Sequence, residues 1–133
     1  MANTIFSKII ARKIPAEIVY ENEHIIAFLD ISPVQKGHTL VVPKEPIRWF
    51  TDLPTDLLLP LFGASQHIAR ALKKATDADL IQLSIVGDEV PHVHIHLIPR
   101  FKSDNLSNWP TKEYAEGESK KFAESIRENL EVE

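Results

Sequence analysis

The chain contains no cysteine among its 133 residues. That excludes disulfides, thiolate zinc sites and cysteine nucleophiles together, and it fits a reducing, cytoplasmic setting. No apolar run approaches the ~18–20 residues that span a bilayer. The first residues, MANTIFSKIIARKIP, lack the layout of a secretory leader, because Ser7, Lys8, Arg12 and Lys13 interrupt the apolar positions. No basic block occurs anywhere and the net charge is −4. A nucleic-acid polymer or an anionic membrane is therefore not the expected partner. No internal repeat or low-complexity segment is visible. What remains is a chain of single-domain size, 44% apolar and 26% charged, which is ordinary for a soluble globular protein.

Hydrophobic spacing divides the chain into a few elements. Ile5, Phe6, Ile9 and Ile10 recur at helical spacing, with Asn3 or Thr4 as the cap and Pro15 as the stop. EIVYENEHIIAFLD reads as two strands around a polar turn at Glu21–Glu23. ISPVQKGH is a loop, and HTLVVP is a third strand ended by Pro43. Residues 55–75 are helical in spacing, with Pro60 tolerable only near the first turn. Residues 80–86 read as a fourth strand, 92–99 as a fifth, and about 118–130 as a last helix. Short links favour antiparallel pairing. The expected class is α+β: a five-stranded, mostly antiparallel sheet with helices packed on one side.

Three of the six histidines fall in the stretch HVHIHLIP, at His92, His94 and His96. Alternation in a strand sends these rings to one face and Val93, Ile95 and Leu97 to the other, toward the core. Imidazole has the side-chain pKa nearest neutrality, and each ring has two nitrogens. When one nitrogen is held by a hydrogen bond, the other is set as a lone pair or as a donor. Adjacent rings can then divide the roles of attack, orientation and proton donation. Phosphorus is a suitable target, because an imidazole nitrogen can accept a phosphoryl or nucleotidyl group and pass it to water. The residues alone leave two other readings open. One is a polar cluster on a strand with no chemistry. The other is a zinc site, although side chains at i, i+2 and i+4 spread along a line, whereas tetrahedral sites draw on more than one element.

The stretch resembles the signature of the histidine triad (HIT) family of nucleotide hydrolases and transferases. The similarity extends from about Thr4 to Arg100, through IFSKIIARKIPAEIVYENEHIIAFLDISPVQKGHTLVVPK. The resemblance implies a HIT-like fold over residues 1–133 as one domain, with its core at about 4–101 and a tail and helix at 102–133. It implies that His94 attacks an α-phosphate to form a nucleotidyl-histidine. His96 contacts phosphate or leaving-group oxygen and helps protonate the departing group. His92 lies behind, hydrogen-bonded so that the nucleophile keeps its tautomer, and His38 joins the network. Asp30 holds the ribose hydroxyls, and a purine rests among Ile5, Phe6, Ile9, Phe28, Ile31 and Leu40. Apart from the resemblance, Phe6, Ile9 and Phe28 read as core, and Asp30 as a turn residue closing a strand. His24 and His67 match no functional position.

Departures from the family pattern matter too. Many members carry Gly-Gln-Ser/Thr before the triad, whereas this chain has Gly87-Asp88-Glu89-Val90-Pro91. Acids turned toward a phosphate would repel it, so backbone N–H groups around Glu89 and Val90 are the expected phosphate contacts, with Ser84 nearby. Ser7 stands where some members have a zinc-binding cysteine, and Glu45-Pro46 where some have a further histidine. No metal or cofactor is expected. The resulting expectation is a hydrolase acting on a purine nucleoside 5′-phosphoramidate or similar small derivative. It would be a homodimer joined through residues 57–72 and the fourth strand. The alternatives are a nucleotide-binding protein with negligible turnover, a dinucleoside polyphosphate hydrolase, and a metal-binding protein. The tail carries Trp109, read as packing, and Tyr114.

Overall fold

The computed structural model describes residues 4–87, 89–105 and 111–130; Asn3, Asp88 and Trp109 lie outside them. The elements are α1 (Ile5–Ile10), β1 (Ile18–Glu21), β2 (Ile25–Leu29), β3 (Thr39–Pro43), a 3-10 turn (Phe50–Asp52), α2 (Thr55–Thr76), β4 (Leu80–Ser84), β5 (Ile95–Arg100) and α3 (Glu118–Glu128). The strands form one sheet in the order β1-β2-β3-β5-β4, and every neighbouring pair is antiparallel. The expected class and strand count are therefore observed.

Residue parity assigns the two faces. Ile25, Ala27, Leu29, Val41, Ile95 and Leu97 form one core with Leu61, Ile68 and Leu72 of α2 and Ala123 and Ile126 of α3. Their neighbours Ile26, Phe28, Leu40 and Val42 point the other way and pack against Phe6 and Ile9 of α1. The two long helices thus share one side of the sheet, and the short α1 lies across the other. Each fully buried aliphatic contributes on the order of 1.5–3 kcal/mol, so the larger α2–α3 layer carries most of the stability.

Several boundaries differ from the sequence reading, each for a local reason. The first helix is capped by Thr4, whose Oγ1 accepts the Ser7 N–H at 3.1 Å. It stops at Ile10, well before Pro15, because Arg12 turns left-handed at φ 63°. Pro60 sits one turn deeper in α2 than expected. The helix continues past it, since the carbonyl deprived of a partner belongs to exposed Asp56 and can be hydrated. The fourth strand ends at Ser84 rather than 86.

The fifth strand begins only at Ile95, so His92 and His94 precede it. Pairing with β3 runs through Val41↔Ile95 and then reaches Pro43, which has no N–H to give. The His92 ring takes the Pro43 carbonyl instead, at 2.8 Å.

Candidate active site

The cleft is built on the α1 face of the sheet. Cross-strand partners line up as Phe28↔Leu40, Leu40↔His96 and His96↔Ser84. Residues directly opposite share a face, so this row runs from apolar to polar. Two cavities follow it. The apolar one, about 200 Å³, is lined by Ile5, Phe6, Ile9, Phe28, Ile31 and Leu40, with Val90 at its margin. The polar one, about 740 Å³, is lined by Ser32, His38, Gln82, Ser84 and Thr111. Asp30, Glu89, His94 and His96 border both.

Every residue expected at the base slot therefore meets in one cavity, and several also serve as core, as base rates suggested. Phe6 is the hinge between the two roles. Its ring lies edge-on to Phe28 at 5.5 Å and to His94 at 4.9 Å. Ile31 is 77% exposed and forms the rim.

The hydrogen bonds assign tautomers, because a carbonyl can only accept and a backbone N–H can only donate. His94 Nδ1 lies 2.8 Å from the His92 carbonyl, so Nδ1 carries the proton and Nε2 of the neutral ring is a lone pair. His92 Nε2 donates to the Pro43 carbonyl, leaving Nδ1 as a buried acceptor with no partner among the described residues. The Val34 N–H donates to His38 Nδ1 at 3.0 Å. His38 must then be protonated on Nε2, which donates to His96 Nδ1 at 2.9 Å. Neutral His96 is left with its proton on Nε2. The backbone carbonyl of His92, rather than its ring, orients His94.

Burial supports these assignments. It pushes His38 down to about 3, with the nearby His96 and His94 adding to the shift. It also lowers His92, partly offset by the bond to Pro43. Both rings are therefore neutral at ordinary pH. His94 and His96 are 5% and 8% exposed and lie edge to face at 4.8 Å.

Asp30 has two roles. Oδ1 accepts the Ser32 N–H at 2.9 Å, closing the turn that its position suggested. Oδ2 lies 3.9 Å from His38 Nε2. Burial raises its pKa, opposed by the Ser32 bond, and the charge of Glu89 raises it further.

The loop carrying Asp30 and His38 is held by the tail. The Gly37 N–H donates to the Tyr114 hydroxyl at 2.7 Å, and the Lys112 N–H donates to the Pro33 carbonyl at 2.7 Å. A side chain at Gly37 would be strained on two counts. The backbone φ is +99°, and a Cβ there would stand 3.1–3.2 Å from Thr76 and Leu72 of α2.

His24 is exposed beside Glu23, and His67 meets Tyr20 edge to face, both away from the cleft. The sequence reading missed Gln82, Ser32 and Thr111. Gln82 was findable, since it shares parity with Ser84; Thr111 carried no signal.

Among the described residues, one group could converge on a cation: Asp30, His38 and His96, with ligand atoms within 4.8 Å. The three triad rings do not form that group. The 2.9 Å His38–His96 hydrogen bond already uses one nitrogen from each ring. Two nitrogens on one tetrahedral ion would stand farther apart than that, by roughly 0.4 Å at ordinary zinc–nitrogen lengths.

A sheet of this order with a histidine-lined cleft defines a recognisable class. The HIT domain family profile matches residues 11–103. A crystal structure of a HIT-like protein from Bartonella henselae superposes with a TM-score of 0.86 at 38% identity, covering 96% of this chain and 97% of that one. The adenosine 5′-monophosphoramidase of Saccharomyces cerevisiae is 37% identical over 116 residues, 84% of this chain and 73% of its own length. The asymmetrical bis(5′-nucleosyl)-tetraphosphatase of Schizosaccharomyces pombe is 31% identical over 98 residues, 70% of this chain and 54% of its own length. The chain belongs to the histidine triad family, which includes hydrolases.

Proposed function

We propose that this chain, acting as one domain over residues 1–133, hydrolyses a purine nucleoside 5′-phosphoramidate at its α-phosphate. The observation that carries the reading is the fixed lone pair of His94 Nε2 at the junction of an apolar and a polar cavity. The purine occupies the slot around Phe6, Phe28 and Leu40, and the ribose meets Asp30. Backbone N–H groups near Glu89 and Val90 meet the phosphate. The yeast relative's activity supports this substrate class; the fission-yeast relative keeps a dinucleoside polyphosphate as the second reading.

In the first step His94 Nε2 bonds to phosphorus. The bond from phosphorus to the leaving nitrogen breaks, its electron pair stays on that nitrogen, and the amine takes up one proton. The ring becomes cationic, with its Nδ1–H still against the His92 carbonyl, whose dipole favours that charge. In the second step water attacks phosphorus, the pair returns to Nε2, and water gives up one proton. The sum is phosphoramidate plus water to amine plus nucleoside monophosphate.

His96, held by His38 as an Nε2–H donor, stabilises charge on the phosphate or the leaving atom by a hydrogen bond. It is not the net proton source, because surrendering that proton from the neutral ring would leave an imidazolate. No metal is needed for either step.

The exposed edge of β4 and the face of α2 support a homodimer with one continuous sheet. Leu59 is 81% exposed, and it borders a shallow apolar groove with Phe62, Ala69, Ile81 and Leu83. Among the described residues no helix is long and apolar enough to cross a membrane. A cytoplasmic location is consistent with the absence of cysteine.

The test is release of AMP from adenosine 5′-phosphoramidate, wild type against His94→Ala, with and without chelator. Turnover that survives chelator and disappears in the variant is expected. AMP binding without any turnover would replace the enzyme with a nucleotide-binding protein. Loss with chelator alone would favour a metal site.

A further inference from the structure

Glu89 is the side chain least suited to a phosphate site, yet it borders both cavities beside His94 and His96. The polar cavity lies on the far side of these histidines from the base slot, where the leaving group must go. Among the described residues that line it there is no lysine or arginine. The residues outside the description, such as Asp88 and Leu106–Pro110, carry none either. The nearby basic groups do not reach the wall: Lys36 pairs with Glu118 at 3.0 Å, Arg100 pairs with Asp104 at 2.7 Å and donates to Gln82 Oε1 behind the cavity, and Lys112, which follows Thr111, is not among the lining residues. His38 is neutral, as its hydrogen bonds require. Two carboxylates, Asp30 and Glu89, are the only Asp, Glu, Lys or Arg side chains among the described residues of the wall. They sense each other, since the charge of Glu89 helps raise the Asp30 carboxyl. Glu89 has no hydrogen-bond or ion-pair partner among the described residues.

A bound α-phosphate adds a further negative charge and receives no cation from these walls. We infer that Glu89 makes the polar cavity a selector of leaving-group charge, admitting an amine that carries a second, cationic group and rejecting an anionic one. This deepens the phosphoramidate reading and rests on it. Even under water-like screening, Coulomb energies between charges about 6 Å apart correspond to about tenfold per charge reversal. The cation of the leaving group supplies what the protein omits. A second phosphate, as in a dinucleoside polyphosphate, meets two carboxylates with no basic side chain to offset them.

The experiment uses three size-matched adenosine 5′-phosphoramidates, made from 1,3-diaminopropane (cationic), propylamine (neutral) and β-alanine (anionic). Values of kcat/KM are measured for wild type, Glu89→Gln and Glu89→Ser in chelator at low ionic strength. The wild type is expected to favour the cationic over the anionic compound by about tenfold or more. Both variants should compress that ratio to within about threefold, and 1 M salt should compress it in the wild type. Intrinsic differences between the amines cancel when ratios are compared across proteins. An unchanged ratio in both variants, or a wild type that favours the anionic compound, overturns the inference while leaving the phosphoramidate reading intact. Should no compound turn over, that reading fails by itself. Calorimetric affinities of the same three compounds then give the same ratio and decide the role of Glu89.

Discussion

The two faces of the sheet use alternate residues of the same strands, yet they are built to different ends. Toward α2 and α3, Ile25, Ala27, Leu29, Val41, Ile95 and Leu97 form a closed apolar layer. Toward α1 the covering helix has only six residues, too short to shield the whole face. The uncovered part is where Leu40 gives way to His96 and Ser84. Stability is concentrated where coverage is complete, and chemistry lies where it stops. A buried polar group needs partners, and His38 and His96 find them in one chain from the Val34 N–H through His38 to His96.

The sharpest way to break this comparison is one substitution on each face. His94→Ala is expected to lower AMP release from adenosine 5′-phosphoramidate by about 10⁴-fold or more, as loss of a nucleophile does, with only a small change in melting temperature. Ile68→Ala, fully buried on the sheet-facing side of α2, should cost about 2–5 kcal/mol of stability and leave KM within about twofold. Denaturant titration and steady-state kinetics on both variants read the contrast. Equal effects of both on turnover would dissolve it.

Phe6→Ala sits on the boundary, because its ring packs on Phe28 and touches His94. It should lose about 3–5 kcal/mol of stability and also raise KM. Stability lost at constant KM would remove Phe6 from the base slot.

Titration distinguishes the faces as well. His38 is depressed to about 3 in the folded chain, and His92 is depressed too. Unfolded, each binds a proton near pH 6.5, so the unfolded state holds more protons below that value. Stability is then full above about pH 6.5 and falls as pH drops; for His38 the fall runs toward pH 3 by up to about 1.4 kcal/mol per unit, and His92 adds to it in the same direction. Asp30, with its pKa raised by burial, opposes this. Melting curves between pH 7.5 and 5 should show the decline, and His38→Gln should flatten it. A profile indifferent to that substitution would mean that His38 is not held neutral.

The smallest expected effect tests the tail. Tyr114→Phe removes the acceptor for the Gly37 N–H. It should cost about 1–3 kcal/mol through that unsatisfied donor and lower kcat through the loop carrying Asp30 and His38. Hydrogen exchange at Gly37 that is unaltered in the variant would rule this out.

Much of this was legible before any coordinates. Alternation in HVHIHLIP placed His96 on the cleft face, because a pleated strand has a period of two whatever it packs against, although His92 and His94 precede the strand that the spacing predicted to include them. Apolar spacing located both long helices for the same kind of reason. The residue types at 5, 6, 9, 28, 30, 31 and 40 were tied to one site through the family resemblance, and they do converge. Other features depended on atoms distant in sequence. The fifth strand's start is set by Pro43, the tautomer of His94 by a carbonyl two residues back, and that of His96 by a bond passed on from Val34. The partition of the cleft into apolar and polar cavities depends on strand order, which brings β3 and β4 to either side of β5. Composition and periodicity act locally and so can be read from the chain. Which nitrogen carries a proton, and which charge a cavity will admit, are set by groups that only folding brings together.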